Sequence, residues 1–190
     1  MPTPTVSITR AVPGEVNILG ASIRMAPAEP QMTRAQLLDF VRGSEVVISM
    51  FHDKVDDEFL DAAGPQLKGV CNFAVGIDNI DLPACRKRNI PVTNTPDAVT
   101  EGTANIAFGL MLAAARRIGE GDRFVRAGEF EKQGNIFPTG WLGVHTTGQT
   151  LLIVGAGRIG RAVALRALGF GMRILYVARS THADFEQAPI

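Results

Sequence analysis

The sequence predicts an α/β fold organised on parallel sheets, and three observations carry that prediction. Apolar runs of strand length alternate with helix-length periodic segments along the whole chain. Successive runs are joined by helices or crossover loops, the connections that parallel strands require. The third observation is the stretch Leu151–Ser180, LLIVGAGRIGRAVALRALGFGMRILYVARS, which reads as strand, glycine turn, helix, strand. Its length is that of one βαβ unit, about 30 residues.

Val6–Thr9 opens the chain as a short strand, and Ser22–Met25 follows as a second after a turn marked by Pro13-Gly14. Thr33 and Gln36 have capping-box spacing, so a helix begins there, with Leu37, Leu38 and Val41 on its buried face and Gly43 at its end. Val46–Met50 is a buried strand, Asp56 or Asp57 starts a helix running through Leu60, and Leu67–Val75 is again strand-like. Asp81 caps a helix over Leu82–Arg88, and Pro91–Thr93 makes a fifth short strand. Thr100 begins the longest helical pattern, carried by Ala104, Ile106, Ala107, Leu110, Met111 and Ala114, and it marks a domain boundary. Gly119 and Gly121 weaken that pattern, Phe124 and Val125 resume it, and Gly128 stops it. Gln133–Gly148 reads as a loop anchored by the packing of the only tryptophan, Trp141.

Leu151–Val154 is all apolar, the pattern of a parallel strand buried on both faces. In the helix that follows, Ile159, Val163 and Ala167 recur at helical spacing with Ala162 and Leu165 between them. Gly169 and Gly171 stop the helix, and Met172–Val177 is the next strand.

At 190 residues the chain holds one large domain or two small ones, with the apolar fraction and dispersed charge of a soluble globular protein. Its net charge is zero and it has no basic block, which argues against nucleic acid or an anionic membrane surface as partner. The apolar stretch Ile106–Ala115 is too short to span a bilayer, and the first residues lack a signal peptide's basic and apolar regions. A cytoplasmic protein is expected. Cys71 and Cys85 form no CxxC pair and no histidine stands at metal spacing, so both read as reduced structural thiols and no metal is expected.

Gly155-Ala156-Gly157-Arg158-Ile159-Gly160 fits a dinucleotide fingerprint: Gly155 permits the tight turn, Gly157 lets a pyrophosphate approach the backbone, and Gly160 lets helix and strand pack closely. Unpaired amides at the helix start face the phosphates. Where a carboxylate for the ribose 2′-OH is usual, about 20 residues on, this chain has Ala178-Arg179-Ser180. A guanidinium beside a hydroxyl suits a 2′-phosphate, so NADP(H) is favoured over NAD(H); a solvated loop arginine is the other reading of Arg179.

Four ordered segments now stand out: Asn72-Phe73-Ala74-Val75-Gly76-Ile77-Asp78-Asn79-Ile80-Asp81, Val92-Thr93-Asn94-Thr95-Pro96, Thr100-Glu101-Gly102-Thr103-Ala104-Asn105, and the glycine fingerprint. In these the chain resembles the D-isomer-specific 2-hydroxyacid dehydrogenases, and more closely their glyoxylate and hydroxypyruvate reductase branch. The resemblance implies a flavodoxin-like parallel-sheet substrate domain over residues 1–99, followed by the start of a truncated Rossmann dinucleotide-binding domain over 100–190. It also implies that Val75 and Gly76 present backbone amides to a substrate carboxylate, that Phe51 lines the substrate pocket, and that Thr103 lies near the nicotinamide. Arg158 and Ile159 are implied to offer amides to the pyrophosphate, beside Gly155, Gly157, Gly160, Arg179 and Ser180. A turn-permitting role for Gly76, a core position for Phe51 and a plain helical one for Thr103 remain open. Asn105 departs from the family, which usually has an acidic residue there.

The implied chemistry is hydride transfer between a nicotinamide and a small 2-oxoacid or 2-hydroxyacid, in a complete protein that is a homodimer. An arginine polarises the carbonyl, and a histidine poised by a glutamate supplies the proton. In the family all three lie well downstream of the second nucleotide strand, so no catalytic residue is assigned here. His52, His145 and His182 read as surface or loop histidines. Two further expectations follow: an open edge on the strand Leu151–Val154, and a polar tail, Ser180–Ile190, too short to cover it. The chain is accordingly expected to be a fragment with little turnover of its own, or else a non-catalytic nucleotide-binding or interaction module pairing through the segment Thr100–Gly148.

Overall fold

The computed structural model describes residues 3–133 and 140–186, so the expectations for 134–139 of the tryptophan loop and for 187–190 lie outside the described residues. The chain divides into two compact units, Met1–Ala98 and Val99–Ile190.

In the first unit β1 (Thr5–Ile8), β2 (Ser22–Met25), β3 (Val46–Met50), β4 (Gly69–Phe73) and β5 (Val92–Thr93) form one parallel sheet of order β2-β1-β3-β4-β5. This is the flavodoxin-like order, whose switch point lies between β1 and β3. Helices α1 (Arg34–Phe40), α2 (Asp57–Ala63) and α3 (Leu82–Lys87) each start on a side-chain cap. At α1 the Gln36 amide donates to Thr33 Oγ1 at 3.3 Å and the Thr33 amide to Gln36 Oε1 at 2.9 Å, completing the capping box. Asp56 caps α2 by accepting from the Phe59 amide at 3.1 Å, and Asp81 caps α3 from the Ala84 amide at 2.9 Å. Burial raises the Asp56 carboxyl, but hydrogen bonds from Lys54, the Phe59 amide and Arg34 outweigh it and hold the group below its ordinary range.

The core of this unit packs Leu37 of α1 and its C-cap Val41 with Val47, Val55, Phe59, Leu60 and Val70, while Leu38 is only partly buried. Cys85 is 1% exposed, and burial, aided by the Asp81 carboxylate, pushes its thiol up, as befits a packing residue.

The second unit contains α4 (Thr100–Ala115), α5 (Ile118–Arg126), α6 (Glu129–Gln133), β6 (Thr150–Val154), α7 (Arg158–Leu168), β7 (Arg173–Val177) and α8 (Ala183–Glu186). The long helical pattern breaks at Arg117, whose φ of 56° is left-handed, rather than at Gly119 or Gly121. The joint is held from outside: a Cβ on Gly143 would lie 2.5 Å from Ala115 O, and the Val144 amide donates to that same oxygen at 2.7 Å. Trp141 anchors the described part of its loop on Phe124, at 4.4 Å between ring centroids, with the Arg117 guanidinium 5.2 Å over its ring.

Strands β6 and β7 pair in parallel, and β6 has no second strand partner among the described residues. The expectation that Leu151–Val154 is buried on both faces is corrected. Ile153 is 7% exposed, but Leu152 and Val154 are 56% and 82% exposed, and Leu175 and Val177 share their bare face. Among the described residues, cover comes to one face only, from α7, α4 and α8. Helix α7 meets that face through Ala164, Ala167 and Val163, whereas Ile159 and Leu165 point outward. Small side chains let its axis lie close to the strands. Of the expected apolar positions on α4, Ala104 is buried but Ile106 and Leu110 are exposed; Phe108 is the buried large residue. The tail is also more than polar cover, since Phe185 is 5% exposed and packs on Tyr176 at 4.7 Å. Among the described residues no helix is long and apolar enough to cross a membrane.

Asn105 takes a clear role on α4. Its Oδ1 accepts from Arg166 Nε at 2.8 Å and Nη2 at 2.6 Å, while Glu101 Oε2 accepts from the same Nη2 at 2.7 Å, tying α4 to α7. Asn105→Asp adds a charge to an existing geometry and is expected to stabilise the second unit by about 0.5 kcal/mol. Urea unfolding in low salt checks this; an unchanged midpoint removes the electrostatic reading.

Candidate functional site

Two loci, one in each unit, contain most of the residues expected to bind ligand. In the second unit β6 runs into Gly155, whose φ of 104° no L side chain readily adopts, and its amide donates to Val177 O at 2.8 Å. Gly157 is extended and N-caps α7 without any side-chain cap, so the first-turn amides of Arg158, Ile159 and Gly160 are oriented together at a positive helix end. A Cβ on Gly160 would stand 2.2 Å from Gly155 O and 3.1 Å from Ile153 Cγ2, so close helix–strand packing requires a glycine there. A Cβ on Gly157 would meet nothing within 4 Å. Among the described residues no contact requires that glycine, and the space in front of the helix N-terminus is wide enough for a phosphate to approach the backbone.

That space belongs to a cleft of ≈ 520 Å³ lined by the glycine turn, Val154 and Val177, and by Arg179, Ser180 and His182. Among the described residues no acidic side chain lines it, and the Arg179 guanidinium has no carboxylate partner. These features fit a nicotinamide dinucleotide: helix-end amides for the pyrophosphate and a cationic corner past β7. Thr103 lies on the exposed side of the first turn of α4, its amide bonded to Val99 O, and does not line this cleft. His182, read from sequence as a tail residue, does line it.

The second locus is at the carboxyl ends of the first unit's strands, where open α/β sheets bind ligands. Because Met50 is in register with Phe73, the turns that follow β3 and β4 are neighbours. Phe51, directly after β3, and the Val75–Gly76 turn after β4 therefore lie at the same end of the sheet. Phe51 is 71% exposed and therefore not a core residue, and Val75 is 41% exposed. A Cβ on Gly76 would make only an ordinary 3.6 Å contact with Asp78 Oδ2, so packing does not demand glycine there.

A polar lattice supports these turns. Asn72 is 1% exposed; its Nδ2 donates to Gly76 O at 2.9 Å and to Asn79 Oδ1 at 3.0 Å, and its Oδ1 accepts from Ser49 Oγ at 3.0 Å. Asn79 Nδ2 donates on to Met50 O at 3.1 Å and Asp53 O at 2.9 Å. Buried Asp53 accepts from Thr9 Oγ1 at 2.5 Å and the Met50 amide at 2.8 Å, joining the end of β1. His52 Nε2 lies 3.7 Å from Asp53 Oδ1, with its ring edge-on to Phe51. Asn72 and Asn79 stand in the segment Asn72–Asp81 that carries the resemblance, which by itself gives them no role. The available signal was an amide in the middle of a strand, at a position where burial without hydrogen bonds is costly.

With this geometry in view, the family model of the D-isomer specific 2-hydroxyacid dehydrogenase catalytic domain matches residues 6–183. The chain belongs to that family. The family binds nicotinamide dinucleotides, which agrees with the character of the cleft. Among curated relatives of this 2-hydroxyacid dehydrogenase chain, glyoxylate reductase of Thermococcus kodakarensis is 45% identical over 188 residues, covering 97% of this chain and 56% of the relative. Glyoxylate reductase of Pyrococcus furiosus is 43% identical with the same coverage. Among solved structures, the TT0316 protein of Thermus thermophilus superposes with a TM-score of 0.83 at 39% identity, covering 94% of this chain and 57% of that one. A glyoxylate reductase from Paecilomyes thermophila gives 0.73 at 27% identity, covering 98% and 59%. The chain thus spans little more than half the length of the relatives it matches.

Proposed function

We propose that this chain supplies the carboxylate-binding turns and the adenine-side nucleotide cleft of an NADP(H)-preferring 2-hydroxyacid dehydrogenase that reduces a small 2-oxoacid such as glyoxylate or hydroxypyruvate. The observation that carries the reading is the cleft lined by Gly155, Gly157, Arg179 and Ser180, with no acidic side chain among the described lining residues, in a chain whose relatives include glyoxylate reductases. In this reading residues 1–99 form the substrate domain and 100–190 the first part of the nucleotide-binding domain.

The bound dinucleotide supplies the hydride. The amides of Arg158, Ile159 and Gly160 hold the pyrophosphate, Gly155 and Gly157 keep the approach clear, and Arg179 with Ser180 takes the 2′-phosphate. The amides of Val75 and Gly76 orient the substrate carboxylate, Phe51 walls the pocket, and Thr103 stands near the nicotinamide. Carbonyl polarisation and protonation fall to residues outside this chain, so the 190-residue chain turns over little or nothing alone. The complete enzyme is taken to be a cytoplasmic homodimer. In support of self-association, Ile106, Leu110, Ile118, Val125 and Phe130 are large apolar side chains exposed on α4, α5 and α6. The same surface favours a second reading, a non-catalytic nucleotide-binding module that pairs through it.

Calorimetric titration with NADPH and NADH, together with an NADPH-oxidation assay on glyoxylate, tests the proposal. Arg179→Ala is expected to weaken NADPH about tenfold or more and to leave NADH nearly unchanged. Equal losses for the two cofactors refute the NADP(H) assignment. Robust turnover by the chain alone refutes the division of catalytic labour, and nucleotide binding by a defined dimer from a gene with no longer reading frame favours the module.

A further inference from the structure

We propose that His182 is a third ligand of the cofactor's 2′-phosphate, completing with Arg179 and Ser180 a three-donor cradle that sets the preference for a 2′-phosphorylated adenosine. The proposal rests on the NADP(H) reading above and deepens it.

Three observations lead to it. First, His182 lines the same cleft as the glycine turn, Arg179 and Ser180, and is half-buried there. Second, its position is built in. Beyond β7 the chain could have left the cleft as a polar tail, but the Phe185 amide donates to His182 O at 2.9 Å, and Phe185 is 5% exposed in a cluster with Ile153 and Ala164, its ring tilted against Tyr176 with centroids 4.7 Å apart. An apolar anchor three residues on therefore draws the segment after β7 back against the unit and keeps His182 at the cleft. Third, the donor count needs another member. A phosphate monoester has three strongly accepting oxygens. The Arg179 fork reaches one or two and the Ser180 hydroxyl one, which leaves room for a single N–H donor, with no acidic side chain in the lining among the described residues. An imidazole serves in either tautomer by presenting one N–H, and its ring can lie along the apolar wall made by Val177.

The competing role is a ring platform beneath the adenine, which would be indifferent to the 2′-phosphate. Calorimetry on the full 190-residue protein with two probes, 2′,5′-ADP and 5′-ADP, separates the two. His182→Ala is expected to weaken 2′,5′-ADP about tenfold and to leave 5′-ADP within about twofold, while His182→Gln, which keeps an N–H donor, restores most of the loss. Unchanged 5′-ADP binding also shows that the cleft of each variant is folded. Equal losses of both probes without rescue by Gln, or no loss of either, overturn the proposal. Arg179→Ala is run beside them. If it abolishes the preference for 2′,5′-ADP while His182→Ala does not, the His182 assignment alone fails. If neither variant alters the preference, the NADP(H) reading fails with it.

Discussion

Gly160→Ala is expected to destabilise the second unit by about 3 kcal/mol or more and to abolish dinucleotide binding. The added Cβ would stand 2.2 Å from Gly155 O, a backbone atom that no rotamer change can move, and 3.1 Å from Ile153 Cγ2. Relief requires α7 to lift from β6. That separates Ala164 from the apolar cluster around Ile153, and overpacking that cannot be relieved by side chains lies at or above the upper end of the usual 1–3 kcal/mol, roughly. It also moves the first-turn amides of α7 away from the position proposed above for the pyrophosphate. Gly157→Ala is the matched control: its φ of −82° suits alanine and its Cβ meets nothing, so stability should stay within about 0.5 kcal/mol while NADPH affinity falls steeply. Urea unfolding and calorimetry on both variants make the comparison. Equal stability losses in the two would show that both glycines serve the fold alone.

Asn72→Leu is expected to cost about 3–5 kcal/mol in the first unit, although the two side chains are similar in size. The substitution removes the amide that serves Gly76 O, Asn79 Oδ1 and Ser49 Oγ, leaving buried groups unpaired at roughly 1–3 kcal/mol each. The loss falls on the turn that carries Val75 and Gly76, tied by Asn72 on one side and by Asn94 Nδ2 donating to Val75 O at 2.8 Å on the other. In the complete enzyme KM for the 2-oxoacid should therefore rise while NADPH affinity holds. A variant of normal stability, or one with unchanged KM and normal folding, would show that the lattice does not position this turn.

These two residues also show where sequence reading reached and where it stopped. Gly160 was legible because the fingerprint's spacing has a steric meaning that survives without coordinates: the last glycine of a GxGxxG between strand and helix stands where helix meets strand. Asn72 was legible only as part of a pattern. Its partners Gly76 and Asn79 lie in the turn that follows β4, but Ser49 comes from β3 and faces Asn72 only through the β3–β4 register. The helix caps at Thr33, Asp56 and Asp81 lay within reach of the sequence since each bond closes over three residues. The exposed face of β6 did not, because periodicity in a short apolar run reports hydrophobicity and not which side is covered.

By itself the sequence determined the elements, their parallel connection, the glycine turn and the arginine and serine past β7, all properties carried by contacts within one element or one βαβ unit. Only the tertiary structure decided that the left-handed Arg117 parts α4 from α5, that Asn105 accepts from Arg166, and that Phe185 draws the segment after β7 back so that His182 faces the cleft. Each of these depends on side chains distant in sequence meeting at packing or hydrogen-bond distance. Local propensity is silent there, and burial and polar pairing select the conformation.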